Sequence, residues 1–265
     1  MLIELMMLCV VVSVMGVTQL HDVVYRVCNP FSTVIFRYNS ITRQQLTDID
    51  VKGLRTPWDI AACERTYQMY VADREKCVLR VSSDGTDINH WLPKSPDDTF
   101  KPWTLSVTST RLLVTSQSTR QLIQFDADGD ELRRVQLPDD MEPRHAVESP
   151  TGTFVVGLYN EQLEQWQVVE INSGGEVLRQ FSGSRLTSLG FTPHIAVDSR
   201  GNIFVADYDN RRILLLDTHL SLRRVIIDEH QLNYKQPWRL CYREQSGQLL
   251  VALYDGLAVF DVFCR

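Results

Sequence analysis

Five residues stand immediately after prolines that recur every 41–50 residues: Trp58, Trp103, Arg144, His194 and Trp238. Tryptophan and arginine dominate binding hot spots. Gathered at one opening, these side chains could hold an extended peptide, a flat ligand or a cation over an aromatic face. Turned inward, the same rings would wedge between neighbouring elements as packing. Other chemistry is sparse. "DADGDE" at 126–131 has the look of a calcium loop, but the required glutamate at the twelfth place is Leu137, so a glycine-containing hairpin turn is expected. Asp73 and Asp207 each end a "VAD" run and are expected to accept backbone N–H groups of the following turn. No GxSxG elbow, HExxH, phosphate-binding loop or dinucleotide fingerprint occurs. No catalytic residue, metal ligand or cofactor is therefore assigned from motifs. His21, His90, His219 and His230 fall in or near turns and read as surface residues.

The elements that position these residues are repeated strands. Residues 192–226 contain "HIAVD", the turn "SRGN", "IFVAD", the break "YDNRR", "ILLLD" and "LSLRRVI". These are four short β-like runs separated by turn residues. Comparable units cover 56–92, 101–137, 142–181 and 236–263. Each opens on x-Pro-x, with prolines at 57, 102, 143, 193 and 237, spaced 45, 41, 50 and 44 residues apart. A proline just before a strand is expected, since it cannot donate inside the ladder. Glycines mark the hairpin turns, where positive φ is needed. Four strands per unit at this period indicate a β-propeller. Arg133-Arg134 and Arg223-Arg224 fall on fourth runs, the outermost strands, where charge blocks stray edge pairing.

Residues 192–218, with P-x-I-A-V-D-x-x-G-N-I-F-V-A-D-x-x-N-x-R-I, resemble an NHL repeat, and "MYVAD" at 69–73 echoes it. The resemblance implies an all-β, six-bladed propeller of four-stranded blades, usually an interaction platform. The Asn-His-Leu triplet itself is replaced by Asn210-Arg211-Arg212-Ile213, so its histidine is absent. Some NHL-like propellers are lyases that hold zinc with three histidines at the channel mouth. Here His194 occupies such a place, His145 is displaced by one residue, and three other units carry tryptophan. Three convergent ligands are not expected from these positions.

The chain ends close the count. "DVVYRV", "TVIFRYN" and "LTDIDVK" align with runs two to four of a first unit, whose first run then falls at about Ser13–Val17. The last unit reaches Arg265 without a fourth run, and stepping back from the first unit places a strand at about Leu2–Leu8. The expectation is one domain, 1–265, with blades at approximately 12–54, 56–93, 101–138, 142–182, 192–228 and 236–265 plus 2–8. The N-terminal strand closes the last blade and hides its open edge. The competing reading of "MLIELMMLCVVVSVMG" is a secretory signal, but its only charge before residue 21 is Glu4, where a positive region is wanted. The strand reading leans to an intracellular chain; cleavage near Gly16 would make it secreted.

The totals narrow function by exclusion. A net charge of −6 over 265 residues disfavours RNA as partner, because phosphate contacts need a basic footprint. Six scattered cysteines (Cys9, Cys28, Cys63, Cys77, Cys241 and Cys264) form no CxxC pair. No apolar run of membrane-spanning length exists beyond the N-terminus. The expectation is a non-catalytic, monomeric scaffold for a protein or peptide, with no membrane role. RNA binding and a metal-dependent lyase or hydrolase of the propeller type are the alternatives.

Overall fold

A computed structural model describes residues 2–6, 13–29, 32–74, 76–93, 101–183, 189–190, 193–254 and 256–262. They form 24 antiparallel strands in six four-stranded sheets. Blade one holds β2 (Ser13–Leu20), β3 (Val23–Asn29), β4 (Val34–Asn39) and β5 (Ile49–Asp50). Blade two holds β6 (Pro57–Cys63), β7 (Gln68–Asp73), β8 (Cys77–Ser82) and β9 (Ile88–Leu92). Blade three holds β10 (Thr104–Thr108), β11 (Arg111–Ser116), β12 (Gln121–Phe125) and β13 (Glu131–Gln136). Blade four holds β14 (Met141–Glu148), β15 (Phe154–Asn160), β16 (Gln165–Ile171) and β17 (Val177–Phe181). Blade five holds β18 (His194–Val197), β19 (Ile203–Asp207), β20 (Arg212–Leu216) and β21 (Leu222–Ile227). Blade six joins β22 (Pro237–Arg243), β23 (Gln248–Leu253) and β24 (Gly256–Asp261) to β1 (Leu2–Met6).

The ring is closed as the sequence implied. β1 pairs antiparallel with β24, Leu5 opposite Ala258 and Met6 opposite Leu257, so the outermost strand of the last blade comes from the N-terminus. Residues 7 and 8 of the expected strand lie outside the described residues. The stretch "SVMG" runs on as the innermost strand β2 of blade one.

The apolar runs are continuous because the middle strands are covered on both faces. β19 is buried at every position, and β20 at four of five. The buried side chains fall into six clusters, each shared by two adjacent blades. One joins blades six and one through Val14, Val24, Leu250 and Leu257, which seals the ring hydrophobically as well as by hydrogen bonds. The outermost strands β13, β17 and β21 are mostly exposed instead: β21 shows four of its six residues to solvent, Arg223 and Arg224 among them.

Close packing of blades needs glycine at one contact above all. A Cβ added to Gly157 on β15 would lie 2.1 Å from the Pro193 carbonyl oxygen of the next blade. Backbone cannot move aside cheaply, so Gly157→Ala is expected to cost about 2–3 kcal/mol. That corresponds to a melting temperature lower by roughly 5–10 °C in differential scanning calorimetry. Gly174→Ala meets only the Asn172 side-chain oxygen, at 3.3 Å, and is expected to shift melting far less. Equal melting of the two variants would contradict this account of the blade contact.

Asp73 and Asp207 differ from the expected turn role. Asp73 accepts the N–H groups of Arg55 and Thr56 at 3.0 and 2.9 Å and the Thr56 hydroxyl at 2.7 Å. Asp207 accepts the Gly190 N–H at 2.8 Å, Asn210 Nδ2 at 2.8 Å and Arg212 Nε at 2.7 Å. Both carboxylates therefore hold the loop that enters their own blade, 17 or 18 residues earlier, and Asp207 also takes the side chains of Asn210 and Arg212 after it. Asp126 does close its hairpin, accepting the N–H groups of Asp128 and Asp130 at 3.0 and 2.8 Å.

Candidate functional site

The six innermost strands surround a central channel and begin at one rim. Four of them carry a β-bulge at the start: between Val14 and Gly16, Pro57 and Asp59, Pro143 and His145, and Pro237 and Arg239. The extra residue of a bulge is unpaired and re-aims its neighbours. Trp58, Arg144 and Trp238 are those extra residues, and they line one cavity at the rim with Trp103 and His194. All five sequence candidates thus meet in one place. Its volume is about 150 Å³, and Arg74, His145, Pro193 and Arg239 complete the wall.

Aromatic and guanidinium groups alternate across this mouth. The Trp58 and Trp103 rings are 4.7 Å apart, and Arg74 Cζ lies 4.5 Å from each centroid. Arg144 lies 5.8 Å from Trp103 and 5.4 Å from Trp166, and Nη2 pairs with Glu142 at 3.0 Å. Burial holds the Arg144 pKa below the ordinary arginine value. Trp238 packs edge-on to Tyr208 at 5.4 Å and lies under the Arg239 guanidinium at 5.1 Å. Trp58 and Trp238 also pack against the core between blades one and two, so the wedge and the mouth are two ends of the same rings.

Two further cavities adjoin the first. One, about 330 Å³, is apolar and aromatic, shares Trp58 and Trp238, and adds Val14, Met15, Tyr208 and Tyr254. The other, about 430 Å³, shares Arg74 and Trp103 and adds Lys101, Gln117, Arg120 and Glu161. The three cavities lie side by side at the rim through these shared residues: apolar at one end, cationic and aromatic at the centre, polar at the other.

A buried layer floors the mouth. Asp59, His145, His194 and Arg239 are each 5 % exposed or less. The two imidazoles stack at 3.6 Å. Asp59 Oδ2 accepts the Leu105 N–H at 2.9 Å, and Oδ1 accepts Ile60 at 3.0 Å. Thr104 donates to the Arg144 carbonyl at 2.8 Å. His145 Nδ1 accepts the Ile195 N–H at 3.4 Å, and His194 Nδ1 accepts Leu240 at 3.2 Å. All of these bonds except the one from Ile60 join one blade to the next. Arg239 Nε then faces Asp59 Oδ1 across the channel at 3.8 Å. Burial pushes the Asp59 pKa up to about 6 against the pull of Arg239. Burial first, then the Arg239 charge, holds His145 down to about 3. His194 is held well below the usual range by burial, His145 and Arg239. Both histidines are therefore neutral at pH 7.

The one-residue displacement of His145 seen in the sequence is removed by the bulge at Pro143, so histidines from two blades do converge. Asp59 joins them with ligand atoms within 4.8 Å of one another. This set fits a metal ion poorly. The carboxylate oxygens and both Nδ1 atoms already accept backbone N–H groups, which leaves each neutral ring with a protonated Nε2. A buried guanidinium beside the carboxylate opposes a cation further. Beyond the floor, a fourth cavity of about 430 Å³ opens to the far rim between polar groups such as Gln19, Ser106, Glu148 and Glu244.

Sequence reasoning missed Asp59, Arg239 and Arg74. A signal was present for the first two. "PWDIAA" and "PWRLCY" place opposite charges two residues after the proline, inside otherwise apolar inner strands. His21, His90, His219 and His230 are exposed, as expected.

The chain is a six-bladed β-propeller with a plugged channel. No family model matches it, and no curated protein matches its sequence. Solved structures do resemble it. A catalytically inactive histidine-to-alanine variant of virginiamycin B lyase from Staphylococcus aureus, with quinupristin, superposes with a TM-score of 0.66 at 14% identity. That likeness covers 93% of this chain and 79% of the other. A streptogramin B lyase gives 0.65 at 13% identity, over 93% and 78% of the two chains. A protein of unknown function from Bacteroides caccae gives 0.61 at 18% identity, over 84% and 80%. At these identities the likeness establishes the fold alone.

Proposed function

We propose that this propeller is a non-catalytic interaction module that binds an extended peptide segment of a protein partner across its channel mouth. The observation that carries the reading is the row of three adjoining cavities, which share Trp58 and Trp238 on one side and Arg74 and Trp103 on the other. A linear segment can fill such a row with successive side chains, and its aromatic and arginine lining matches the composition of binding hot spots. The repeat type is proposed as NHL-like on the 192–218 segment, where Asp207, Asn210 and Arg212 form one network. RNA is the weaker partner for a chain of net charge −6.

The second reading is a lyase, which the fold of the streptogramin B lyases and the buried Asp59–His145–His194 cluster favour. The engaged ligand atoms described above weigh against it. One experiment separates the two. A random-sequence peptide library is panned on the wild-type chain and on the Trp58→Ala/Trp103→Ala/Trp238→Ala variant, after thermal melts show both folded. Enrichment that disappears in the variant is expected. Enrichment indifferent to the three substitutions would reject the mouth as the binding site. Quinupristin incubated with the wild-type chain is expected to remain intact by mass spectrometry, and its consumption would establish a lyase.

A further inference from the structure

The chemistry of the central cavity specifies one feature of the peptide. Every polar side-chain group on its wall is a hydrogen-bond donor. Three tryptophans and three arginines can only donate. The two histidines have spent Nδ1 on backbone N–H groups; His145 gives its Nε2–H to the Leu105 carbonyl at 3.4 Å, and His194 is left with Nε2–H. Among the described residues, three buried donors here lack an acceptor at hydrogen-bond distance: Trp58 Nε1, Arg144 Nε, whose guanidinium pairs with Glu142 through Nη2, and Arg239 Nε, which has the Asp59 carboxylate only at 3.8 Å. Buried donors without partners are costly, and native proteins normally satisfy them. A ligand that supplied acceptors alone would remove that cost. A water can accept from two of these donors, but it brings two donors of its own to a wall that has no free side-chain acceptor for them.

We infer that the central cavity of the mouth takes a carboxylate of the bound peptide, seated between Arg144, Arg239 and the Trp58 indole N–H. The inference rests on the peptide-binding reading above and names the group that reading leaves open. A carboxylate offers only acceptors, is small enough for a cavity of about 150 Å³, and pairs with guanidinium groups in a fork geometry. The neighbouring cavity walled by Met15, Tyr208, Trp238 and Tyr254 takes an apolar or aromatic side chain beside it. The motif is therefore an apolar residue next to an acidic one, or an apolar residue next to the C-terminus of the partner. Both sources present the same group.

The test uses the enriched peptides and the folded wild-type chain, read by the fluorescence of the mouth tryptophans. Each peptide is compared with its C-terminal amide and with Asp→Asn or Glu→Gln replacements. Loss of affinity of tenfold or more on removing one carboxylate is expected, in line with a hydrogen-bonded charged group. The amide arm identifies a terminal carboxylate and the replacement arm a side chain. Arg144→Gln is expected to show the same loss for the carboxylate peptide and little for its neutral analogue. Arg144→Lys, which keeps the charge but not the fork, should fall between. Binding that depends on the tryptophans but is equal for carboxylate and amide forms would overturn this inference and leave the peptide-binding reading standing. Absence of tryptophan-dependent binding would remove both. The peptide arms need no protein variant, so misfolding cannot mask the result.

Discussion

Replacing Arg239 with methionine is expected to cost about 3–5 kcal/mol at pH 8, because it leaves the Asp59 carboxylate buried and ionised without a counter-charge. The melting temperature should fall on the order of 10 °C. The cost depends on pH. Asp59 already has its pKa raised to about 6 with Arg239 present, and without it the carboxyl protonates more readily still. At pH 5 the orphaned group is neutral and the penalty shrinks. The second substitution Asp59→Asn should return most of the lost stability at pH 8, since a neutral amide keeps an oxygen for the Leu105 N–H. An Arg239→Met variant equally destabilised at pH 5 and pH 8, or one that Asp59→Asn does not rescue, would show that the ion pair is not what holds this layer.

Acid should unfold the wild-type protein well before its surface carboxylates titrate. His145 is held down to about 3 and His194 is also held far below its free value, so an unfolded chain binds protons near pH 6.5 that the native chain refuses. Stability conferred by groups with depressed folded pKa values is complete above the unfolded value and is lost as pH falls toward the folded one. For His145 alone the loss between pH 6.5 and 3 is on the order of 4–5 kcal/mol. Asp59 acts oppositely: its folded pKa is raised to about 6 from an unfolded 3.8, so the native state gains as pH falls through that interval. That gain is on the order of 3 kcal/mol. Two histidines outweigh one carboxyl, and melting temperatures should decline from pH 7 to pH 4. Arg239 deepens the effect by opposing imidazolium. In a His194→Gln variant the slope over this window should be visibly shallower, even if the variant is less stable at pH 7. A melting temperature flat from pH 7 to pH 4.5, or a slope unchanged by His194→Gln, would contradict neutral histidines in the floor.

Much of the fold was written in the spacing of prolines and glycines. Pro57, Pro102, Pro143, Pro193 and Pro237 mark the entrances of five blades because proline is tolerated only where a strand begins or bulges. Strand periodicity and turn chemistry are local properties, so the position of β2 and the use of an N-terminal strand to complete blade six followed by subtraction. The hydrophobic N-terminal stretch that resembles an export signal contains parts of two strands, β1 and β2. Such ambiguity is inherent, since a signal peptide and an inner strand buried on both faces have the same composition.

The site was legible in part. The residue after each proline was readable as a mouth position, and the tryptophans, Arg144 and His194 do line one cavity. Spacing treated the inner strands as regular, and that is where it stopped. Bulges at Pro57, Pro143 and Pro237 shift the next side chains by one place, bring His145 onto His194, and turn Asp59 and Arg239 into the channel. The sequence by itself determined the repeat, the number of blades, the way the ring closes and the residue types at its mouth, because each depends on local pattern and turn preference. Only the tertiary structure decided that Asp59 of blade two meets Arg239 of blade six, that the histidine Nδ1 atoms are spent on joining blades, and that the mouth is left with donors alone. Those are consequences of circular closure, which makes neighbours of residues 180 positions apart.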